Sequence, residues 1–384
     1  MQHFLFMIAG VALAGCASTQ KAKLIPNSPK AKAALERAIS RAGALREGLS
    51  VEAQNPSFLR RVQKLWHYDT PLTDISPLAK YTYLKDLRLS YNNLTDISAL
   101  SELKQLEKLQ LNNNRLANIR PLAGLTQLKK LYLHNNQLSD INALRRLSQL
   151  KELRLSGNQL TDEKLKHLSG LKQMTHLNLG SNQLADVSAL AGLTRMTNLD
   201  LSFNQLTDVS ALSRVMTLRN LDLSENKLTD VSTLGRIKQM EKLYLNRNQL
   251  SDVGALAGLT KLTHLDLGNN RLSDASALEN LTQLKFLHLS NNKLTDVSSL
   301  GGLKELERLY LNFNHLTDVS ALSGLKQLTH LDLGNNQLTD ARALTELKEL
   351  KTLYLFGNPN FTKEEVAKVR QALPNCEIIH NAKK

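Results

Sequence analysis

Leu284-Lys-Phe-Leu287-His-Leu289-Ser-Asn-Asn292-Lys-Leu294-Thr-Asp296-Val297-Ser-Ser-Leu300-Gly-Gly-Leu303 is one turn of a pattern that runs from about residue 62 to residue 358. Its asparagine recurs at positions 92, 114, 136, 158, 182, 204, 226, 248, 270, 292, 314, 336 and 358. Eleven of these spacings are 22 residues and one is 24. A degenerate copy precedes them, with Leu65, Thr70, Leu72, Asp74, Ile75 and Leu78 in register. In Leu287-His-Leu289 the apolar residues alternate with a polar one, which predicts a short strand with one face buried. Leu300 and Leu303 bring the chain back along the opposite side. No single copy can bury its own leucines, so neighbours must stack into one continuous core with a parallel sheet.

The run L-x-x-L-x-L-x-x-N-x-L resembles the leucine-rich repeat. The repeat length and the Leu-Thr-Asp-Val-Ser-Ala-Leu tail (Leu206 to Leu212) are similar to the bacterial internalin type. The resemblance implies an α/β leucine-rich-repeat solenoid, a horseshoe with a parallel concave sheet. About thirteen full repeats and the degenerate first one span residues 62–358, with helical caps at both ends.

Each asparagine is expected to turn inward and satisfy backbone groups of adjacent loops. An aspartate follows four residues later at 74, 96, 140, 162, 186, 208, 230, 252, 274, 296, 318 and 340, with Asn118 as the exception. A calcium ion needs six to eight oxygens at once, and a stacked column offers one carboxylate per layer. The column therefore reads as turn caps that accept backbone N–H bonds. Thr161 to Leu168, in the 24-residue repeat, predicts a fuller helical turn on the convex side.

Strand positions that face away from the core are free to vary, so function should appear there. Counted back from each asparagine they are the residues six, four, two and one before it. These four rows of thirteen hold nine of the seventeen aromatic residues: Tyr91, Tyr132, Phe203, Tyr244, Phe286, Tyr310, Phe313, Tyr354 and Phe356. Concave aromatics bury a large area at little entropic cost, as binding hot spots do. Six of the nine lie from Tyr244 onward, which places the main site there. Asp266, His288, Arg308 and Asp332 complete the candidate set. Arg88, Lys108, Lys130 and Arg154 make the N-terminal half of the face basic, and Asp200, Asp222, Asp266 and Asp332 make the rest acidic. A partner should match that polarity. Tryptophan is expected to be absent from this face, since Trp66 lies in the degenerate repeat.

His264, Asp266 and His288 fall on adjacent strands, so catalysis and metal binding have to be weighed. No nucleophile stands beside a base, and there is no phosphate loop or Cys/His ligand spacing. The expectation is a non-catalytic protein without cofactor or metal.

The N-terminus carries a different signal. Residues 4–13 form an apolar run too short to cross a bilayer, yet of the length of a signal segment. It is followed by Leu13-Ala14-Gly15-Cys16, which resembles the lipobox of bacterial lipoproteins. That resemblance implies a signal peptide over residues 1–15, diacylation of Cys16 and a lipidated tether over residues 16–29. Ala17, in place of an aspartate, implies sorting to the outer membrane of a bacterial cell envelope. The formal charge is +14, and residues 17–65 hold ten Lys or Arg against three Glu. Leu35, Ala38, Ile39, Ala42, Leu45 and Leu49 recur at helical spacing there, which predicts a basic helical cap over residues 30–61. Its basic face is also suited to anionic lipid. Nucleic acid is excluded because the excess charge sits beside a membrane anchor.

At the other end, Thr362-Lys-Glu-Glu365 fits an N-cap box. It opens a helix to about Leu373, in a cap and tail over residues 359–384. Val366, Val369 and Leu373 should cover the last leucine layer, with Cys376 a buried cap residue. The two cysteines, Cys16 and Cys376, exclude a disulfide framework. The expected function is a lipid-anchored, monomeric solenoid that binds a protein on its concave face. Glycan binding through the aromatics, or an architectural spacer, are the alternatives.

Overall fold

The computed structural model describes residues 29–44, 59–60, 62–67 and 71–382. Among the described residues fifteen three-residue strands form one parallel sheet in strict chain order, from β1 (Lys64–Trp66) to β15 (Glu377–Ile379). The register is continuous: Leu265 of β10 (His264–Asp266) faces Leu287 of β11 (Phe286–His288), which faces Leu309 of β12 (Arg308–Tyr310). The middle residue of each strand from β1 to β14 is a buried leucine. The fold is the leucine-rich-repeat horseshoe that the spacing predicts.

Opposite the strands, most repeats return through a 3₁₀ turn such as Ser298–Gly302, around a buried Leu300. The aspartates set these turns. Oδ1 of Asp296 accepts the Ser298 N–H at 2.8 Å, and the Ser298 hydroxyl donates to its Oδ2 at 2.7 Å. Asn118, the exception in the column, accepts the Arg120 N–H in the same way at 3.0 Å. Asp162 departs from the rule because it opens a helix, α2 (Asp162–Leu165), in the 24-residue repeat. Its Oδ1 reaches the next repeat instead, accepting the N–H of Ala185 at 2.7 Å and of Asp186 at 3.0 Å.

The asparagines form a buried ladder. Oδ1 of Asn226 accepts the Leu206 N–H at 3.0 Å. Its Nδ2 donates to the carbonyls of Leu201 at 3.0 Å and of Leu223 at 3.1 Å. One side chain thus satisfies groups in two successive repeats, which the short strands leave without partners.

Both ends of the core are covered. A helix over Pro29–Ala44, α1, buries Ala31, Leu35 and Ile39 in the same apolar cluster as Leu65 and leaves Lys32 and Arg37 exposed. A second helix over Lys363–Ala372, α3, begins where Thr362 Oγ1 accepts the Glu365 N–H at 3.3 Å, and it buries Val366 and Val369. Two features differ from the sequence reading. The segment after α3 is a true strand, β15, paired with β14 (Thr352–Tyr354). Cys376 is a free thiol that is half-buried rather than buried, because β15 closes the sheet edge with only one side packed. Burial, and then the charge of Glu377, still push its pKa up to about 11, which keeps it protonated and inert.

Candidate partner-binding face

The outer residues of each strand make two in-register rows on the concave side. One runs Tyr244, Asp266, His288, Tyr310, Asp332, Tyr354 and the other Lys242, His264, Phe286, Arg308, His330, Thr352. They place Tyr244 on β9 (Lys242–Tyr244), Asp266 on β10, Phe286 and His288 on β11, Arg308 and Tyr310 on β12, Asp332 on β13 (His330–Asp332) and Tyr354 on β14. The aromatics form a chain of contacts across these strands. His264 stacks on Phe286 with centroids 6.0 Å apart, and Phe286 meets Tyr310 at 5.7 Å. His288 stands edge-on to Tyr310 at 5.5 Å, and its Nδ1 lies 2.9 Å from Asp266 Oδ1. Tyr354 and Phe356 meet edge-on at 6.5 Å.

Two of the four predicted rows do not belong to the sheet. The strands end four residues before the ladder asparagine, and the row two before it is largely buried, as with Ser90, Ser202 and Ser290. The row one before it turns left-handed, with φ of 54° at Phe203 and 56° at Phe313. Phe203 and Phe313 therefore lie on the turn edge beside the concave face, 56% and 53% exposed. Tyr91 occupies the same kind of turn, 68% exposed. Asparagine or glycine holds seven of these thirteen turn positions, as the left-handed region favours. Phe203→Asn is accordingly expected to raise stability by about 0.5–1 kcal/mol, read as a higher denaturant midpoint. A lower midpoint would mean that the ring has a packing role.

Tyr132 lies apart from the main cluster, on β4 (Lys130–Tyr132). Its hydroxyl donates to Glu152 Oε1 at 2.8 Å, and Arg154 sits 4.7 Å from its ring centre. Burial, then the bond to Glu152 and its charge, push the phenol up to about 12. Glu152 also pairs with Lys130 at 3.1 Å and Arg154 at 2.9 Å. Burial works to raise its pKa, but these partners together hold it low. Trp66 is the second correction. In β1 it stands in register with Arg88, whose guanidinium lies 5.6 Å from its ring centre, so the face does carry a tryptophan at its N-terminal end. The sequence signal was Leu65, which fills the strand-leucine position even though this repeat lacks the asparagine.

The acidic half behaves differently from the basic half. Burial, and then the charges of Asp200 and Asp266, raise the pKa of Asp222 against the bonds from Ser224. Burial raises that of Asp332 too, although the Gly334 N–H and His288 oppose it. His264 and His330 are lowered by burial, then by Lys242 and Arg308 respectively. Among the described residues no group of three or more His, Cys, Asp or Glu is placed to hold a metal ion.

Strands of Leu-x-Leu on an asparagine ladder, with their outer rows free, define a repeat solenoid that presents a concave surface. The chain belongs to the leucine-rich-repeat family. The family profile described as two copies of leucine rich repeats matches residues 104–146, 148–192, 172–214, 217–258, 238–280, 282–324 and 326–366, and a single leucine rich repeat matches residues 82–101. The repeats are of internalin type. An internalin of Listeria monocytogenes superimposes with a TM-score of 0.79 at 31% identity, over 84% of this chain and 94% of that one. A leucine-rich-repeat protein of Leptospira interrogans gives 0.75 at 27% identity, over 90% and 98% of the two chains. No curated protein matches the chain significantly.

Proposed function

We propose that this chain is a non-catalytic binding protein of the bacterial cell envelope, held by a lipid on Cys16, which captures a protein partner on its concave face. The observation that carries the reading is the connected group of His264, Phe286, His288 and Tyr310, which lies on strands rather than in the core. Nothing in the fold needs rings there, since the buried leucines already supply the packing. Solenoids of this family use such concave surfaces for binding. Cys16 lies outside the described residues, and the lipid anchor rests on the lipobox resemblance alone.

The test is crosslinking capture from the native envelope, comparing the parent with a Tyr244→Ala, Phe286→Ala, Tyr310→Ala variant of equal thermal stability. A protein captured by the parent and lost from the variant supports the reading. Equal capture by both sinks it, and retention of the parent on envelope polysaccharide would favour a glycan ligand instead. In the same cells, Cys16→Ser should move the protein from the detergent phase to the aqueous phase. A variant that stays in the detergent phase would refute the anchor.

A further inference from the structure

β13 holds Asp332 between Tyr310 of β12 and Tyr354 of β14, the three residues in register across the sheet. Adjacent strands lie about 4.8 Å apart, so the carboxylate stands in a row with a phenol ring on each side. Phe356 adds a third ring. A Cβ built on Gly334 would come within 2.8 Å of the Phe356 ring, so that ring covers the backbone two residues after Asp332. On the far side of Tyr310 stands His288, already engaged with Asp266 at 2.9 Å.

The acid at the centre of this group is incompletely served. It accepts one hydrogen bond, from the Gly334 N–H at 2.9 Å. Among the described residues it has no ion-pair partner, whereas the acids of the basic half are paired: Asp86 with Arg88 at 2.8 Å, and Glu152 with Lys130 and Arg154. Arg308, in the neighbouring row, forms no ion pair with it. Burial raises its pKa, which is the mark of a carboxylate that lost water without gaining a cation. A half-buried carboxylate with a tyrosine in register on each flanking strand is complementary to one kind of group. The negative faces of the rings and the carboxylate both attract a cation, and the cation's N–H groups fill the remaining lone pairs.

We propose that Asp332, Tyr310, Tyr354 and Phe356 form a subsite for one cationic side chain, lysine or arginine, presented by the protein partner. The inference rests on the protein-binding reading for the source of that side chain, but the subsite can be tested without the partner. His288 reports on it, being in contact with Tyr310.

The probe is Nα-acetyl-arginine amide, with Nα-acetyl-citrulline amide as its neutral twin, titrated into histidine-labelled protein. The signal is the His288 Cε1–H resonance, assigned with His288→Gln. The arginine derivative should shift that resonance saturably, and the citrulline derivative should leave it in place. Asp332→Asn keeps an acceptor for the Gly334 N–H, and it should weaken the arginine titration by about tenfold. Tyr354→Leu should weaken it as well. Equal shifts from both amides in the parent, or an unchanged titration in Asp332→Asn, would overturn the subsite. If the aromatic variant loses its partner while arginine leaves His288 unmoved, the subsite falls and the protein-binding reading stands. If arginine titrates as expected while capture is unaffected, the reverse holds.

Discussion

Asn226→Ala is expected to destabilise the solenoid by about 1–3 kcal/mol, because it leaves a buried backbone N–H without its acceptor. The Leu206 N–H bonds only to this side chain, whereas the carbonyls of Leu201 and Leu223 keep the amides of Asn204 and Asn248. Asn226 itself is 8% exposed, so little water can reach the vacated N–H. One unsatisfied buried group costs about 1–3 kcal/mol, which sets the range. The loss should appear in urea unfolding as a lower midpoint, with faster hydrogen exchange at the Leu206 amide. Lys227→Ala, one residue away and exposed, should stay within about 0.5 kcal/mol of the parent. Equal effects from the two substitutions would mean that the ladder is dispensable.

Val369→Asp is the second large expectation. Val369 is fully buried in α3 and covers the last leucine layer with Val366. A carboxylate placed there has no cation to meet, and the cost is about 4 kcal/mol or more, enough to detach the cap. Repeat arrays depend on such caps, since the final core layer otherwise faces water. Hydrogen-exchange mass spectrometry should find α3 and β15 unprotected while strands in the middle of the sheet remain protected. The uncapped layer should also bind an apolar dye and promote association. Retained protection in α3 would show that the core does not rely on it.

The scaffold was legible because its determinants are local and repeated. A leucine at fixed distance from an asparagine must be buried in every copy, and the aspartate two residues before a backbone N–H caps its turn wherever it occurs. Asn118, the exception in the sequence, makes the same bond through its amide oxygen. The concave candidates Tyr244, Phe286, His288 and Tyr310 followed from the same spacing; the structure brings the last three into contact and sets Tyr244 in register with Asp266.

What the spacing did not disclose depends on where each strand stops. Each strand ends four residues before the asparagine and the chain then turns left-handed, which moves Phe203 and Phe313 to the edge. Leu-x-Leu alone carries no signal for that exit. Trp66 was hidden because its repeat lacks the asparagine that marks the register. β15 was hidden because Glu-Ile-Ile becomes a strand only by pairing with β14 at the edge of a sheet already built. The raised pKa of Asp332 was equally out of reach, since it comes from burial in the assembled sheet.

The strict order of the fifteen strands makes the sheet a ruler. From β1 to β10 there are nine strand intervals, about 43 Å, between Trp66 at one end of the face and the first ring of the aromatic cluster. Because each 22-residue unit closes its own hydrogen bonds against its neighbours, a unit can be inserted or removed without altering the kind of contact anywhere else. Such an event moves the two ends of the face by one graduation, about 4.8 Å, while leaving each end intact. Spacing between binding elements is thereby adjustable in steps, independently of the elements themselves.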